Sequence, residues 1–122
     1  MVFNPQTKKI IPIVGVLDTG ADSTTLMPDL LISLGIDSAT LPVVDVGGVS
    51  GTVKGGGWRC DFLNVALIEM PAWTPYFPNG ANPVPVLFAS GLPINLLGRD
   101  SFLNQAKATF EGQQGVVTLD FP

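Results

Sequence analysis

The sequence of 122 residues contains no histidine and only one cysteine, Cys60. Without histidine there can be no Ser-His triad, no Cys-His dyad and no His-ligated zinc site. A single cysteine cannot form an internal disulfide, so nothing here requires an oxidising compartment. We expect Cys60 to be a buried, inert thiol, and we expect no cofactor and no metal. Any chemistry must come from carboxylates, hydroxyls or the backbone.

Charge is also scarce, since charged residues make up 13% of the chain and give a net charge of −4. Six basic against ten acidic side chains argue against nucleic acid or an anionic membrane as a partner. No apolar run approaches the roughly 18–20 residues of a membrane span, and the first residues lack the apolar segment of a signal peptide. We therefore expect a cytoplasmic protein or the soluble part of a larger precursor.

The chain is rich in apolar residues and in turn formers. Hydrophobic residues make up 46% of it, and it contains 14 glycines and 11 prolines, too many for a helical bundle. Short runs rich in Val, Ile, Leu and Thr lie between them and predict strands. The predicted strands are 10–17, 41–46, 52–53 continuing through 58–69, 84–89, 108–110 and 116–121. Together with the length, this pattern predicts one mostly β domain over residues 1–122.

Two segments have the spacing of short helices. Pro28–Leu34 places Leu30, Leu31 and Leu34 on one face, and Gly35 is suited to end that helix. Arg99–Lys107 is the second predicted helix, with Asp100 or Ser101 available to cap it. Pro71–Pro85, by contrast, holds five prolines and three aromatic residues and cannot be a central strand. It is either a surface loop packed by its own aromatics or a surface for a partner or substrate.

One short motif carries potential chemistry. An apolar strand leads into Asp18-Thr19-Gly20-Ala21. An aspartate at the end of such a strand needs hydrogen-bond donors, and Gly20 can bring its backbone N–H close to the carboxylate. Taken alone, the tripeptide is equally compatible with an ordinary turn.

Two further motifs follow in the chain. One is the glycine-rich segment Gly47-Gly48-Val49-Ser50-Gly51, which lies between predicted strands, and the other is Ile94–Asp100, with the sequence INLLGRD. With these three motifs in this order, the sequence resembles the retropepsin-like aspartic proteases, the half-size homodimeric relatives of pepsin. The resemblance covers about residues 10–121.

The resemblance implies an all-β acid protease barrel with a flap hairpin, one or two short helices and half of an active site in each chain. It implies that Asp18 is catalytic and that Thr19, Gly20 and Ala21 complete the catalytic loop, with Thr19 bracing the partner's loop. It places the flap at Gly47, Gly48, Val49, Ser50 and Gly51. A flap tip needs positive φ and little bulk, which these glycines supply, although an ordinary tight hairpin has the same needs. Gly55-Gly56-Gly57 departs from the pattern and predicts a mobile or bulged strand.

The resemblance also implies that Arg99, which follows Gly98, supports the loop by pairing with Asp22. A guanidinium can bind a carboxylate through two parallel hydrogen bonds. The alternative is two solvated surface charges. We further expect an apolar cleft, with its wall formed by the residues Val16, Ala21, Val44, Val49, Pro93 and Ile94.

Peptide hydrolysis by carboxylates requires two of them sharing one proton. The chain has one Asp-Thr-Gly, so a homodimer would bring Asp18 of two identical chains together. The C-terminal segment, with strands at 108–110 and 116–121, is apolar at alternate positions and is similar to the family's dimer sheet. The sequence thus predicts an aspartic endopeptidase acting on a peptide or protein substrate. The alternative is a non-catalytic dimeric β interaction domain that retains the protease fold.

Overall fold

The computed structural model describes residues 1–48, 51–77, 80, 82–101 and 103–121. Most of these residues form β-strands. In chain order the strands are β1 (Val2–Asn4), β2 (Lys9–Ile11), β3 (Gly15–Leu17), β4 (Thr24–Leu26), β5 (Val43–Gly48), β6 (Gly51–Val65), β7 (Leu67–Glu69), β8 (Thr74–Tyr76), β9 (Val84–Ala89), β10 (Asn95–Leu97), β11 (Lys107–Glu111) and β12 (Val116–Asp120). The helical elements of this part of the chain are α1 (Leu30–Ser33) and 3-10 turns at Ser38–Thr40 and Leu103–Gln105. The mostly β class is therefore confirmed.

Eight strands form one curled sheet. Its order is β2-β1-β6-β9-β4-β10-β3, and β5 pairs with β6 off this path. Strand β10 lies between β3, to which it is parallel, and β4, to which it is antiparallel. Strands β7 and β8 form a separate hairpin, as do β11 and β12. This arrangement brings the ends of β3, β4 and β10 together at one point of the sheet.

The core consists of apolar side chains from the sheet and from the segment around α1. Its buried members are Val2, Leu26, Leu31, Leu34, Leu41, Cys60, Leu63, Val65, Val84, Val86 and Phe88. Burial of this apolar surface is the main favourable contribution to folding. None of the helices in the described part of the chain is long and apolar enough to cross a membrane.

The first predicted helix is present but shorter. It begins at Leu30 rather than Pro28, and the Leu31 N–H donates to the Pro28 carbonyl at 3.0 Å. Gly35 follows the helix with a φ of +71°, the left-handed conformation that glycine adopts without strain. Leu31 and Leu34 face the core as the spacing predicts.

The second predicted helix, Arg99–Lys107, is wrong. The described residues of this segment form only the 3-10 turn Leu103–Gln105, and Phe102 lies outside the described residues. The backbone N–H groups of Arg99 and Asp100 donate to loop carbonyls near the end of β3. The Ser101 side chain is fully buried against that loop. Residues 99–101 form turns that these tertiary contacts hold in place, and Lys107 already belongs to β11, so the described residues of the segment form no continuous helix.

The predicted strand 10–17 is also interrupted. It is divided into β2 and β3 around Pro12, whose missing N–H cannot join a ladder. The short strands β1, β4 and β10 were not among the predicted strands. Each has only three residues, too few for an alternating pattern to stand out.

The two peripheral hairpins expose apolar side chains. In the C-terminal one, Phe110 is paired with Val117, and their exposures are 61% and 40%. Within Pro71–Pro85, β8 lies in a hairpin outside the main sheet, and Tyr76 packs on Phe121 with ring centroids 5.2 Å apart. Trp73 remains 60% exposed beside an apolar groove of about 480 Å³.

Burial around α1 gives a matched test of the core. Leu34 is completely buried, whereas Ile32, two residues earlier, is 82% exposed. We expect Leu34→Ala to lower the free energy of unfolding by about 2–5 kcal/mol because it leaves a cavity. Ile32→Ala should change it by no more than about 0.5 kcal/mol. Urea denaturation of both variants measures the difference, and similar losses would contradict the packing described here.

Candidate active site

Asp18 is the first residue after β3, and a neighbouring strand determines its position. Leu17 is the last residue paired with β10, opposite Leu97. The Asp18 N–H then donates to the Leu97 carbonyl at 3.0 Å, so the ladder holds the backbone as far as the aspartate itself. The side chain of Asp18 is partly buried, while the next two residues are exposed. The carboxylate thus lies at the end of a rigid strand.

The turn after Asp18 orients its carboxylate. The Gly20 N–H donates to Asp18 Oδ1 at 2.9 Å, and the Ala21 N–H donates to the Asp18 carbonyl at 3.2 Å. A Cβ on Gly20 would lie 3.2 Å from Asp18 Oδ1, a tight contact for a side chain. Glycine therefore lets the backbone amide approach the carboxylate. Thr19 lies exposed in the middle of this turn.

The chain leaving β10 packs directly on the end of this loop at Gly98. A Cβ on Gly98 would lie 2.4 Å from both the carbonyl carbon and the oxygen of Ser23. No side chain fits at that distance. The Gly98 N–H donates to the Thr24 hydroxyl oxygen at 3.1 Å, and both residues are buried. Glycine at 98 is thus required by the approach of two backbone segments.

Hydrogen bonds extend this contact along both segments. The backbone N–H of Arg99 donates to the Ala21 carbonyl at 3.0 Å, and that of Asp100 donates to the Asp22 carbonyl at 2.8 Å. The Ser23 hydroxyl donates to Asp100 Oδ2 at 3.2 Å. The hydroxyls of Thr24 and Ser101 also bond to each other in the interior. The loop that carries Asp18 is therefore held along its length by residues 98–101.

The structure brings Arg99 and Asp22 into an ion pair, the partners that the family resemblance implies. The pair is at the surface of the chain, since the side chains are 46% and 81% exposed. Solvent screening makes such a pair worth little by itself. The backbone hydrogen bonds beside it account for most of the connection between the two segments.

An open cleft of about 840 Å³ runs past Asp18. The loop contributes Asp18, Gly20, Ala21, Asp22 and Ser23 to its wall, and β5 contributes Asp45, Val46, Gly47 and Gly48. Gly51 begins β6 with a φ of +107°, and Gly48 pairs with it across the hairpin. Val49 and Ser50, the centre of the predicted flap tip, lie outside the described residues. The hairpin and the loop that carries Asp18 thus border the same cleft.

The wall differs from the expected apolar set. Ala21 lies in it as predicted, and the further apolar side chains that the structure describes there are Val46, Leu87, Ala89, Leu92 and Leu96. Sequence reasoning missed Leu87 and Asp45. Leu87 reaches the cleft because β9 pairs in parallel with β4, a non-local pairing with no local signal. Asp45 is a charged residue within an otherwise apolar strand, and this pattern is the signal that could have identified it as a candidate.

Neither the single cysteine nor a cluster of metal ligands is found in the described wall of the cleft. Cys60 is completely buried on β6, and burial raises the pKa of its thiol, so it stays protonated and unreactive. Within the described ranges, no three acidic or sulfur side chains come together as metal ligands would. The polar groups described in the wall of the cleft are carboxylates, hydroxyls and backbone groups.

The contact at Gly98 predicts that adding a single methyl group there strongly lowers the stability of the protein. We expect Gly98→Ala to unfold the protein or to lower its melting temperature strongly, because the new Cβ collides with the backbone at Ser23. Gly112→Ala is the control, since no atom lies within 4 Å of a Cβ at that glycine. Thermal unfolding by circular dichroism compares them, and equal stability of the two variants would refute the close approach.

The exposure of the ion pair predicts a small coupling energy. A double-mutant cycle with Asp22→Asn and Arg99→Leu should give a coupling below about 1 kcal/mol for the isolated chain. Urea denaturation at low protein concentration measures the four proteins. A coupling of several kcal/mol in dilute chains would show that the two charges are far less hydrated than their exposure indicates.

Comparison with known proteins supports the same architecture. No protein-family model matches the sequence, and no curated protein matches it significantly. The crystal structure of a retropepsin-like aspartic protease from Rickettsia conorii matches the fold with a TM-score of 0.55. The match covers 96% of this chain and 95% of that one, at 16% identity. The chain therefore has the retropepsin-like fold.

Proposed function

We propose that the protein is an aspartic endopeptidase whose active site is completed by a second copy of the chain. The observation that carries this proposal is the position of Asp18, which an anchored loop presents at an open cleft large enough for an extended peptide. A preorganised carboxylate beside a peptide-sized groove is the arrangement that carboxylate hydrolysis requires. The similarity in fold to an aspartic protease supports the same activity.

The reaction needs a second carboxylate. One carboxylate takes a proton from the attacking water, while a protonated carboxyl donates a proton to the carbonyl oxygen of the scissile bond. The tetrahedral diol then collapses: the carboxyl that took the water's proton gives it to the leaving nitrogen, the other carboxylate takes a proton back from a diol hydroxyl, and the C–N bond breaks. Because the chain holds one Asp-Thr-Gly, the second carboxylate comes from Asp18 of the partner. Thr19, exposed beside it, is placed in this proposal against the partner's loop.

The exposed C-terminal hairpin is the surface that we assign to the dimer. Phe110, Val116 and Val117 are 61%, 44% and 40% exposed in the single chain. Within the described chain, β11 and β12 pair only with each other. Their outer edges and apolar side chains are therefore available to a second copy.

The catalytic assignment predicts the loss of activity in Asp18→Asn. The amide is nearly isosteric, so the fold should remain, but it cannot cycle a proton. We expect at least about a hundredfold loss in the rate of cleavage of a peptide mixture, read as new termini by mass spectrometry. Asp29→Asn is the control, because Asp29 is exposed and its side chain makes no capping hydrogen bond.

Mixing the wild type with Asp18→Asn tests whether two chains share one active site. If each dimer needs two Asp18 side chains, activity should follow the square of the wild-type fraction once subunits exchange. A tenfold excess of Asp18→Asn then leaves about a tenth of the activity per wild-type chain. Constant activity per wild-type chain, with exchange verified, would overturn the two-chain site. Absence of cleavage by the wild type, despite dimer formation, would favour the interaction domain.

A further inference from the structure

The hairpin of β5 and β6 is divided by an irregular joint. Near its base, Val43 pairs with Trp58 and Val44 with Gly57, whereas farther out Val46 pairs with Val53. One residue of β5, Asp45, therefore faces three residues of β6, 54–56. Such a bulge interrupts the ladder and changes the direction of the strands. The outer part of the hairpin, residues 46–48 and 51–53, is connected to the sheet through this joint.

The glycines of β6 allow the joint to form. Gly55 has a φ of +63°, which strains most other residues. A Cβ on Gly56 would lie 2.8 Å from Val53 Cγ1, and one on Gly57 would lie 2.7 Å from Val46 Cγ2. The side chains of the outer pair, Val46 and Val53, thus pack onto the glycine backbone. The three glycines give the joint its shape, but they do not by themselves hold it.

Two hydrogen bonds hold the joint from opposite sides. The Ser90 N–H donates to the Gly56 carbonyl at 2.8 Å and connects the joint to the chain leaving β9. On the other side, the Gly55 N–H donates to Asp45 Oδ1 at 2.9 Å. The bulge removes this N–H from the regular ladder, and the Asp45 side chain replaces the missing strand partner. A charged acceptor makes a stronger bond than a neutral one.

Asp45 also lies in the wall of the cleft that Val46, Gly47, Gly48 and the loop of Asp18 line. The angle at the joint therefore determines where the outer hairpin lies relative to the carboxylate. We propose that Asp45 is a positioning residue for substrate binding, because its carboxylate closes the bulge of the hairpin and so holds the outer hairpin along the cleft. This inference rests on the proposed peptidase function for its kinetic consequence but not for its structural one.

The test compares three variants in the full chain. Asp45→Ala removes the acceptor, whereas Asp45→Asn removes the charge and keeps an oxygen that can accept from the Gly55 N–H. Asp37→Ala is the matched control: Asp37 also accepts a backbone N–H, from Ala39 at 3.0 Å, and it lies outside the cleft. Amide hydrogen exchange of the full chain, followed in residues 51–57, reports on the joint. Steady-state kinetics of peptide cleavage report on substrate binding in the cleft.

We expect Asp45→Ala to speed amide exchange in residues 51–57 about tenfold and to raise KM by a similar factor, with kcat changed less than about twofold. Asp45→Asn should fall between the wild type and Asp45→Ala in amide protection and in KM, because it keeps an acceptor oxygen but loses the charge. The inference is overturned if Asp45→Ala matches Asp37→Ala in exchange and in KM, or if Asp45→Asn is as impaired as Asp45→Ala.

A second pair of variants tests the joint without changing Asp45. Both Gly55→Asn and Gly55→Val keep the backbone N–H. Asparagine tolerates the positive φ at this position, whereas valine does not. Faster exchange and a higher KM in Gly55→Val alone support the joint, and equal behaviour of the two variants contradicts it. If the wild type cleaves no peptide, the proposed function fails, while the exchange measurements still decide whether Asp45 holds the hairpin.

Discussion

The rest of the site depends on the close contact between Gly98 and the backbone at Ser23. Its origin lies in the strand order, because the loop that carries Asp18 joins β3 to β4 and these strands flank β10. The loop must therefore cross the end of β10, where the chain leaving that strand meets it. A Cβ on residue 98 would collide with the Ser23 carbonyl group, so the two backbones can pass each other only when residue 98 is glycine. The hydrogen bonds of residues 98–101 then connect the two segments.

This arrangement explains how a partly exposed loop can hold a carboxylate in one orientation. Loops at a surface are usually mobile because few contacts order them. Here the Asp18 N–H extends the strand ladder, the Gly20 N–H binds the carboxylate, and the far end of the loop is anchored in the interior through Thr24. Preorganisation of this kind favours catalysis by a carboxylate, because the group does not have to be reoriented during the reaction. The Arg99–Asp22 ion pair adds a smaller contribution at the surface.

The hairpin on the other side of the cleft has a different construction. The described strands of its outer part pair with each other, and they meet the sheet at a joint made of glycines, one carboxylate and one bond to the chain after β9. Segments with exposed hydrogen bonds and small side chains belong to the least stable parts of a fold. The cleft therefore combines a wall that carries Asp18 and is anchored by several hydrogen bonds with a hairpin that meets the sheet at this joint.

Much of this could be predicted from the sequence. Turn residues between short apolar runs indicated the β class, and Leu31, Leu34 and Gly35 indicated the first helix and its end. The motifs around Asp18, Gly47 and Gly98 pointed to the fold that the comparison of structures confirms. These features are local or ordered along the chain, so they leave a signal in the residue pattern. The two-chain site remains a prediction.

Other features of the site depend on contacts between residues that are distant in sequence, and only the tertiary structure shows them. The segment after Gly98 does not form its predicted helix: residues 99–101 are turns held against the loop of Asp18 and against Thr24, and Lys107 already belongs to β11. Leu87 lines the cleft through a parallel pairing of β9 with β4, and Asp45 faces Gly55 across a bulge whose register no local pattern reveals. By itself, the sequence determined the strand and turn propensities and the position of Asp18 directly after an apolar strand. Long-range pairing determined which groups surround that aspartate, since such contacts depend on the sheet order and not on neighbouring residues.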